Sequence, residues 1–299
     1  MKCNCGKEAV IYLYYSGEYL CEKHFKQLIE RRFVKAINTF KMIKHGEHIA
    51  VGYSGGKDSN ALLYLLKKLQ KKRNIHITAI SIVEGIKDYR DKEHINLLKQ
   101  LPKQLGIKHI VKTYEEVLGV SLQDVAHKVD NICKYCAVFK RDILNDVALE
   151  IGANKIALGH NLDDIVGTLF LNLIRYEPQR LKRYFEAEER EGFVKRIRPL
   201  MYIPEKEIKL YTILNNIDST FGECPFAHKA MRYYLRKMIN DLEDKSPGTK
   251  FKLLKSFLSL SKDIKQERVN LKKCKICGKP TNNEICMSCK MKMELGLNV

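Results

Sequence analysis

The residues whose spacing could do chemistry are first of all ten cysteines, and they are clustered. Cys274-x-x-Cys277 and Cys286-x-x-Cys289 lie a few residues apart. Four thiolates complete a tetrahedral zinc shell and leave no open position, so this set reads as a structural zinc site. Cys3, Cys5, Cys21 and His24 offer a second set, of the Cys3His kind, in which a CxC pair followed by Gly6 begins the chelate. In mid-chain stand Cys133-Lys-Tyr-Cys136 and, much later, Cys224 in Gly-Glu-Cys-Pro-Phe-Ala. Three thiolates can hold three irons of a 4Fe–4S cluster and leave the fourth open to a ligand. Zinc is the competing reading, although it would normally want a fourth protein ligand. Short paired spacings in a chain that begins MKCNCGKE, without the apolar core of a signal peptide, favour metals over disulfides.

The second constellation is Ser54-Gly55-Gly56-Lys57-Asp58-Ser59, directly after Val51-Gly52-Tyr53. Backbone amides at a helix start bind phosphate, and glycines let it come close. Ser54 and Ser59 can donate hydroxyls, Lys57 can neutralise charge, and the stretch from Gly52 to Ser59 is an ATP site by this reasoning. It is not the Walker type, since GxxxxGK[ST] is absent. The bland reading of the glycines is an ordinary strand-to-helix turn.

Positioning these groups requires elements that alternate. Apolar spacing predicts a helix over 25–45, a buried strand over 48–53, a helix over 60–69 and a second strand over 76–83. A helix over 94–105 leads to a strand over 107–112. A helix over 138–151, beginning just after the CxxC, precedes a strand over 155–158, and GHNLDD opens a helix to about 175. Residues 177–196 read as a charged loop, 205–215 and 228–241 as helices, and 249–271 as a Lys-rich helical stretch. This alternation predicts an α/β fold, a parallel Rossmann-like sheet with helices on both faces. Ligands in such folds lie at the carboxyl ends of the strands, which places Ser81 and its neighbours Ile80 and Ile82 near the adenine and Gly159 and His160 on the same rim. Asp164 stands on that rim at a helix start, where its charge would also complement the helix dipole, and Asp163 competes for its role. Lys140 follows Cys136 by one helical turn and shares its face, within reach of a phosphate or a base; a solvated lysine is the plainer account. The expected organisation is 1–24 a zinc finger, 25–47 a linking helix, 48–245 the catalytic domain, 246–271 a basic linker and 272–299 a zinc ribbon.

The net charge of +19, from 54 basic and 35 acidic residues, favours polyanionic partners. Lys272, Lys273, Lys275, Lys279 and Lys290, beside the last four cysteines, suit phosphate contact. No apolar stretch is long enough for a membrane span, so no membrane partner and a cytoplasmic location are expected.

The loop Ser54–Ser59 resembles the PP-loop of the N-type ATP pyrophosphatases, over roughly residues 48–240. With Cys133, Cys136 and Cys224 in that order, the chain resembles the tRNA 2-thiolation enzymes of that superfamily, and its cysteine sets at both ends are similar to the uridine-thiolating kind rather than the cytidine kind. The LGLNV ending resembles that family too, while the CxC at Cys3 departs from its usual CxxC. The resemblance implies a sulfurtransferase that uses Mg-ATP, a 4Fe–4S cluster and two zinc ions. It would adenylylate the uracil 2-oxygen and replace it with sulfur, at the T-loop position (uridine 54) or the wobble position (uridine 34). It also implies catalytic roles for Lys140 and Asp164 beside Cys133 and Cys224, and a sulfur donor that is a ubiquitin-like thiocarboxylate protein or free sulfide. A persulfide on Cys133 or Cys224 is the chemistry that would need no cluster. Related enzymes are often dimers, so a homodimer is one expected state, for which the helix from Phe25 to Phe40 could supply an apolar contact or could equally be core. Two other readings remain: a PP-loop ligase of another type, whose chemistry needs no thiolates, and a zinc-dependent RNA-binding protein without catalysis.

Overall fold

The computed structural model describes residues 1–87, 89, 95–185, 190–218, 224–226, 231–264 and 271–299. A hairpin of β1 (Ile11–Leu13) and β2 (Glu18–Leu20) precedes α1 (Glu22–Thr39), β3 (His48–Gly52), α2 (Lys57–Arg73), β4 (His76–Val83), α3 (Ile95–Gln104) and β5 (Lys108–Thr113). Two short helices, α4 (Tyr114–Leu118) and α5 (Leu122–Val125), lead to α6 (Ile132–Glu150), β6 (Lys155–Leu158), α7 (Leu162–Ile174), α8 (Pro178–Phe185) and β7 (Lys195–Ile197). Then follow α9 (Glu205–Leu214), α10 (Met231–Lys245), α11 (Thr249–Asp263), the strands β8 (Lys272–Lys273) and β9 (Pro280–Thr281), and α12 (Met287–Glu294).

The sheet has the order β5-β4-β3-β6-β7, with every neighbouring pair parallel. Its central strands read as apolar runs because helices cover both faces: Ile49, Ala50 and Val51 are all 0% exposed. One core packs α1, α2, α7 and α9 against the sheet. The other packs α6 against the opposite face and takes in Met291 and Leu295 from the C-terminal module. The chain builds outward from β3 to β4 and β5, then returns to lay β6 and β7 on the other side. The direction of strand order therefore reverses between β3 and β6, and a crevice opens there at the carboxyl edge.

The parallel sheet was expected, but several elements differ. Residues 177–196 contain α8 and the edge strand β7 rather than a loop. β7 is three residues long, Lys-Arg-Ile, with one buried position, which is too short for an alternating pattern to register. α6 begins at Ile132, so the CxxC lies inside the helix rather than before it; the Asn131 side chain accepts from the Lys134 amide and sets that start. α2 begins at Lys57 rather than at residue 60. α1 ends at Thr39, and its stripe of Phe25, Ile29, Phe33 and Ile37 is buried, so of the two accounts of that stripe it is core. The starts expected at 94 and 228 and the stretch 265–270 lie outside the described residues. Among the described residues no helix is long and apolar enough to cross a membrane.

Candidate active site and metal centres

The turn after β3 is built for an anion. Gly55 has φ +73°, a conformation that side chains disfavour. Gly56, as the N-cap of α2, brings no capping oxygen to the amides of the first turn. Ser54 and Ser59 brace the turn: their hydroxyls are 3.1 Å apart, and Ser59 Oγ donates to the Gly56 carbonyl at 2.9 Å. Lys57 Nζ reaches Asp58 Oδ2 at 2.9 Å and Glu205 Oε1 at 2.6 Å. Burial works against its charge, but Asp58 and Glu205 outweigh burial and hold the amine above its ordinary value.

The turn after β6 closes on this loop from the far side of the crevice. A Cβ on Gly159 would stand 3.1 Å from the Ser59 amide nitrogen and 3.2 Å from the Asp58 carbonyl carbon. Both are backbone atoms, so neither gives way cheaply. Gly159→Ala is expected to push the two loops apart and weaken ATP binding by about 5- to 150-fold, the size of a 1–3 kcal/mol overpacking cost, as read by equilibrium dialysis. Gly52 serves packing instead: a Cβ there would meet Leu158 Cδ2 at 2.9 Å.

The next turn decides between two aspartates. Asn161 caps α7 with a reciprocal box to Asp164, and Asn161 Nδ2 also donates to Asp58 Oδ1 at 3.0 Å. Asp163 turns away from the crevice. It accepts from the Glu205 amide at 2.8 Å, at the start of α9, and pairs with the buried Lys250 of α11. Asp164 stays at the crevice, where burial and then the charge of Asp58 push its carboxyl up to about 6, against a pull from Arg236. Two mutually repelling carboxylates beside a phosphate loop suit a divalent cation with oxygen ligands.

Ile80 and Ser81 are each 1% exposed. The Ser81 hydroxyl donates to the Tyr53 carbonyl at 2.8 Å. Neither side chain offers surface to an adenine; of the three residues expected there, Ile82 is the half-buried one.

Across the rim, α6 presents the thiols. Cys133 and Cys136 sit one turn apart in its first two turns, and Cys133 Sγ lies 3.3 Å from the Phe226 carbonyl oxygen, two residues past Cys224. Cys136 feels the charge of Cys224; burial pushes its thiol up, and Lys140 opposes that shift. Lys140 is half-buried rather than a freely solvated lysine. It pairs with Glu84, which is 0% exposed and follows β4 directly. Tyr114 donates to the Cys136 carbonyl at 3.0 Å from beneath. Glu84, Glu205, Arg236, Asn161 and Tyr114 were not singled out from the sequence. Glu84 was findable, since it is the first residue beyond a predicted strand, where the rim rule applies.

Both terminal sets are assembled. The ligand atoms of Cys3, Cys5, Cys21 and His24 lie within 4.8 Å of one another, as do those of Cys274, Cys277, Cys286 and Cys289. Cys5 is thus in the set despite the CxC. Backbone amides converge on the first thiol of each: the Cys5 amide, then the His24 side chain, bring Cys3 down to about 6, and the Cys277 and Cys286 amides do the same for Cys274. Among the described residues these are the only groups at single-ion spacing. Cys133, Cys136 and Cys224 do not form such a group.

The C-terminal set is docked on α6. Lys279 bonds Asp142 at 2.9 Å and Asp146 at 2.6 Å, so it serves this joint rather than a nucleic acid. Tyr135, between the two cysteines, donates to Glu294 at 2.7 Å, and Lys128 to the Leu295 carbonyl at 2.9 Å. Cys289→Ser is expected to halve the zinc measured per chain and release Met291 and Leu295 from the core, a loss of roughly 3–6 kcal/mol at 1.5–3 per side chain, seen in denaturant unfolding.

A family model described as a PP-loop domain matches residues 23–243. A second, described as the N-terminal LIM domain of the 2-thiouridine synthetase TtuA, matches residues 2–26. A tRNA-5-methyluridine(54) 2-sulfurtransferase of Pyrococcus horikoshii is 35% identical, over 100% of this chain and 97% of its own. The tRNA 2-thiolation protein NcsA of Haloferax volcanii is 34% identical, over 97% and 98%. Among solved structures, the U34-tRNA thiolase NcsA from Methanococcus maripaludis with its 4Fe-4S cluster superposes with a TM-score of 0.87 at 30% identity, covering 100% of this chain and 98% of that one.

Proposed function

The chain belongs to the PP-loop family of tRNA 2-thiolation proteins, and from that premise we propose that it replaces the 2-oxygen of a tRNA uridine with sulfur, driven by cleavage of ATP to AMP and pyrophosphate. The observation that carries this reading is the convergence at one strand edge of an ATP loop, Asp164 and three thiols, with Lys140 of the cysteine helix anchored on that rim through Glu84.

The uracil C2 carbonyl reacts poorly because its oxygen leaves badly. In the first step O2 attacks the α-phosphorus and pyrophosphate departs. In the second a sulfur nucleophile adds to C2 and AMP leaves with the original oxygen. The amides after Gly56 and the Lys57 ammonium hold the phosphates and the charge that builds on them. Asp58 and Asp164 would hold magnesium, which supplies further neutralisation of the phosphates. Glu205 and Arg236 keep Lys57 and Asp164 in place. Cys133, Cys136 and Cys224 would hold a 4Fe–4S cluster, which supplies, when bound, an open coordination position for the sulfur being transferred. Lys140 stands one turn from Cys136 and orients the base near the thiols. The two terminal sets would each hold a zinc ion, and the enzyme acts in the cytoplasm on tRNA.

Uridine 54 and uridine 34 are both targets named for relatives of this chain. The sulfur reaches the site from a ubiquitin-like thiocarboxylate protein or from free sulfide, and a homodimer would use a surface other than the buried stripe of α1. The test is nucleoside mass spectrometry of unmodified tRNA incubated anaerobically with reconstituted protein, Mg-ATP and sulfide, beside Cys224→Ala. ATP-dependent 2-thiouridine that vanishes in the variant supports the reading, and its position names the target. Cleavage of ATP without sulfur in any base from either donor would sink it.

A further inference from the structure

At the sheet edge, away from the ATP crevice, three arginines are gathered. Arg196 on β7 is half-buried against α6 and donates to the Arg141 carbonyl at 3.2 Å. Arg198 follows β7, whose register pairs Ala157 with Ile197, so it emerges on the carboxyl rim. Its guanidinium lies 4.0 Å from the centre of the Tyr184 ring, NH1 donates to the Tyr184 carbonyl at 3.4 Å, and its buried Nε has no hydrogen-bond partner among the described residues. Arg141 is exposed and lies five residues past Cys136 on α6, about 7–8 Å along the axis at 1.5 Å per residue.

Several other cations in the fold have a carboxylate, whereas the half-buried Arg73 donates to the Ile43 carbonyl and to Asn38 Oδ1. Arg32 has Glu207 at 2.8 Å, Arg236 has Glu205 and Lys250 has Asp163. Among the described residues Arg196 and Arg198 have none. The opposing charge near Arg196 is Asp142, which Lys279 already holds. Burial, then Arg141 and Arg198, bring the Arg196 guanidinium down to about 10. Arg141 Nε donates to the Ala137 carbonyl at 2.6 Å, and its exposed guanidinium stands beside those of Arg196 and Arg198, an arrangement that suits an anion. Guanidinium forks match phosphate oxygens, and the stacking on Tyr184 fixes the plane of one fork in advance.

We propose that Arg141, Arg196 and Arg198 form a clamp for the sugar–phosphate strand of the tRNA beside the uridine being modified. This rests on the thiolation reading. The position decides the ligand: the clamp lies beyond β6, off the crevice that takes ATP, yet on the helix that carries the cysteines. The other basic groove, with Arg31, Lys35, Lys68 and Lys72, lies between α1 and α2. Its α2 side is the far end of that helix, some 16–24 Å from the phosphate loop at 1.5 Å per residue.

The experiment titrates full-length holoprotein with an unmodified tRNA transcript at several salt concentrations. Arg141→Glu, at the exposed position, and Arg141→Ala/Arg196→Gln run beside the wild type. Removing one arginine–phosphate pairing should lower the slope of log K against log salt by about 0.7–0.9 and the affinity by roughly 10- to 100-fold. KM for tRNA should rise while ATP affinity and zinc content hold, a split that a folding defect would not give. Arg141→Lys should recover much of the charge term. Unchanged tRNA affinity and slope in Arg141→Glu would overturn the clamp while leaving thiolation intact. So would a loss confined to turnover with a protein sulfur donor, since that would assign the cluster to the donor. A wild type that binds no tRNA would overturn both readings together.

Discussion

Cys133→Ala is expected to abolish 2-thiouridine while leaving the first chemical step. The thiol sits in the first turn of α6, against the Phe226 carbonyl, and the ATP loop stands on other elements, β3 and α2. With two thiolates left, the visible absorption of the reconstituted iron–sulfur protein should vanish. Sulfur transfer should fall to background, on the order of 10³-fold or more, as when one member of a group that acts as a unit is removed. A single turnover of tRNA-dependent pyrophosphate release should persist, because the phosphate loop is carried by β3 and α2 while Cys133 is carried by α6. Rapid-quench measurement of labelled pyrophosphate separates the two steps. Full loss of that burst would mean that the thiols help to shape the ATP site, and the division between activation and sulfur delivery would have to be abandoned.

Asp164→Asn should cost about 10²- to 10⁴-fold in kcat/KM, the range for a lost acid–base or charge-matching group, and should also change the pH profile. Burial and the neighbouring Asp58 raise the Asp164 carboxyl to about 6, so it is neutral below that pH and ionised above it. If the ionised form is the working one, wild-type kcat/KM falls as pH drops through about 6, and the asparagine variant loses that limb. The cap on α7 survives the change, since an amide oxygen still accepts from the Asn161 amide. Asp163→Asn should behave differently. It leaves Lys250 buried beside a neutral partner, costing about 3–5 kcal/mol of stability, and leaves the acid limb where it was. A limb near 6 that persists in Asp164→Asn would assign it to another group.

The strands that carry the site were legible because each is a short apolar run ending in a chemically loaded turn. β3 ends at the phosphate loop and β6 at GHNLDD; that both lie on one rim was legible, while their adjacency across the switch point comes from the structure. The metal sets were legible because a chelate must close within a few residues. What stayed hidden depends on partners distant in the chain. Asp163 and Asp164 look alike until Lys250 and the start of α9 claim one of them. Lys140 reads as a solvated lysine until Glu84 is placed under it. Lys279 reads as a phosphate contact until Asp142 and Asp146 lie beneath it. The cysteine helix begins earlier than its apolar spacing suggests, because ICKYC carries no helical period of its own; Asn131 is the cap that marks its start.

The joint between the C-terminal module and α6 has a consequence for biosynthesis. The face of α6 that receives Met291 and Leu295, and the acidic pair that receives Lys279, belong to a helix translated long before residues 279–295 exist. While the ribosome is still adding those residues, the cysteine helix has an uncovered apolar side and a pair of unmatched carboxylates, and Tyr135 lacks its hydrogen bond to Glu294. Domains ordinarily mature in the order of synthesis. Here a helix made early is covered by a segment made late, so that side of α6 stays open until residues 279–295 have been added.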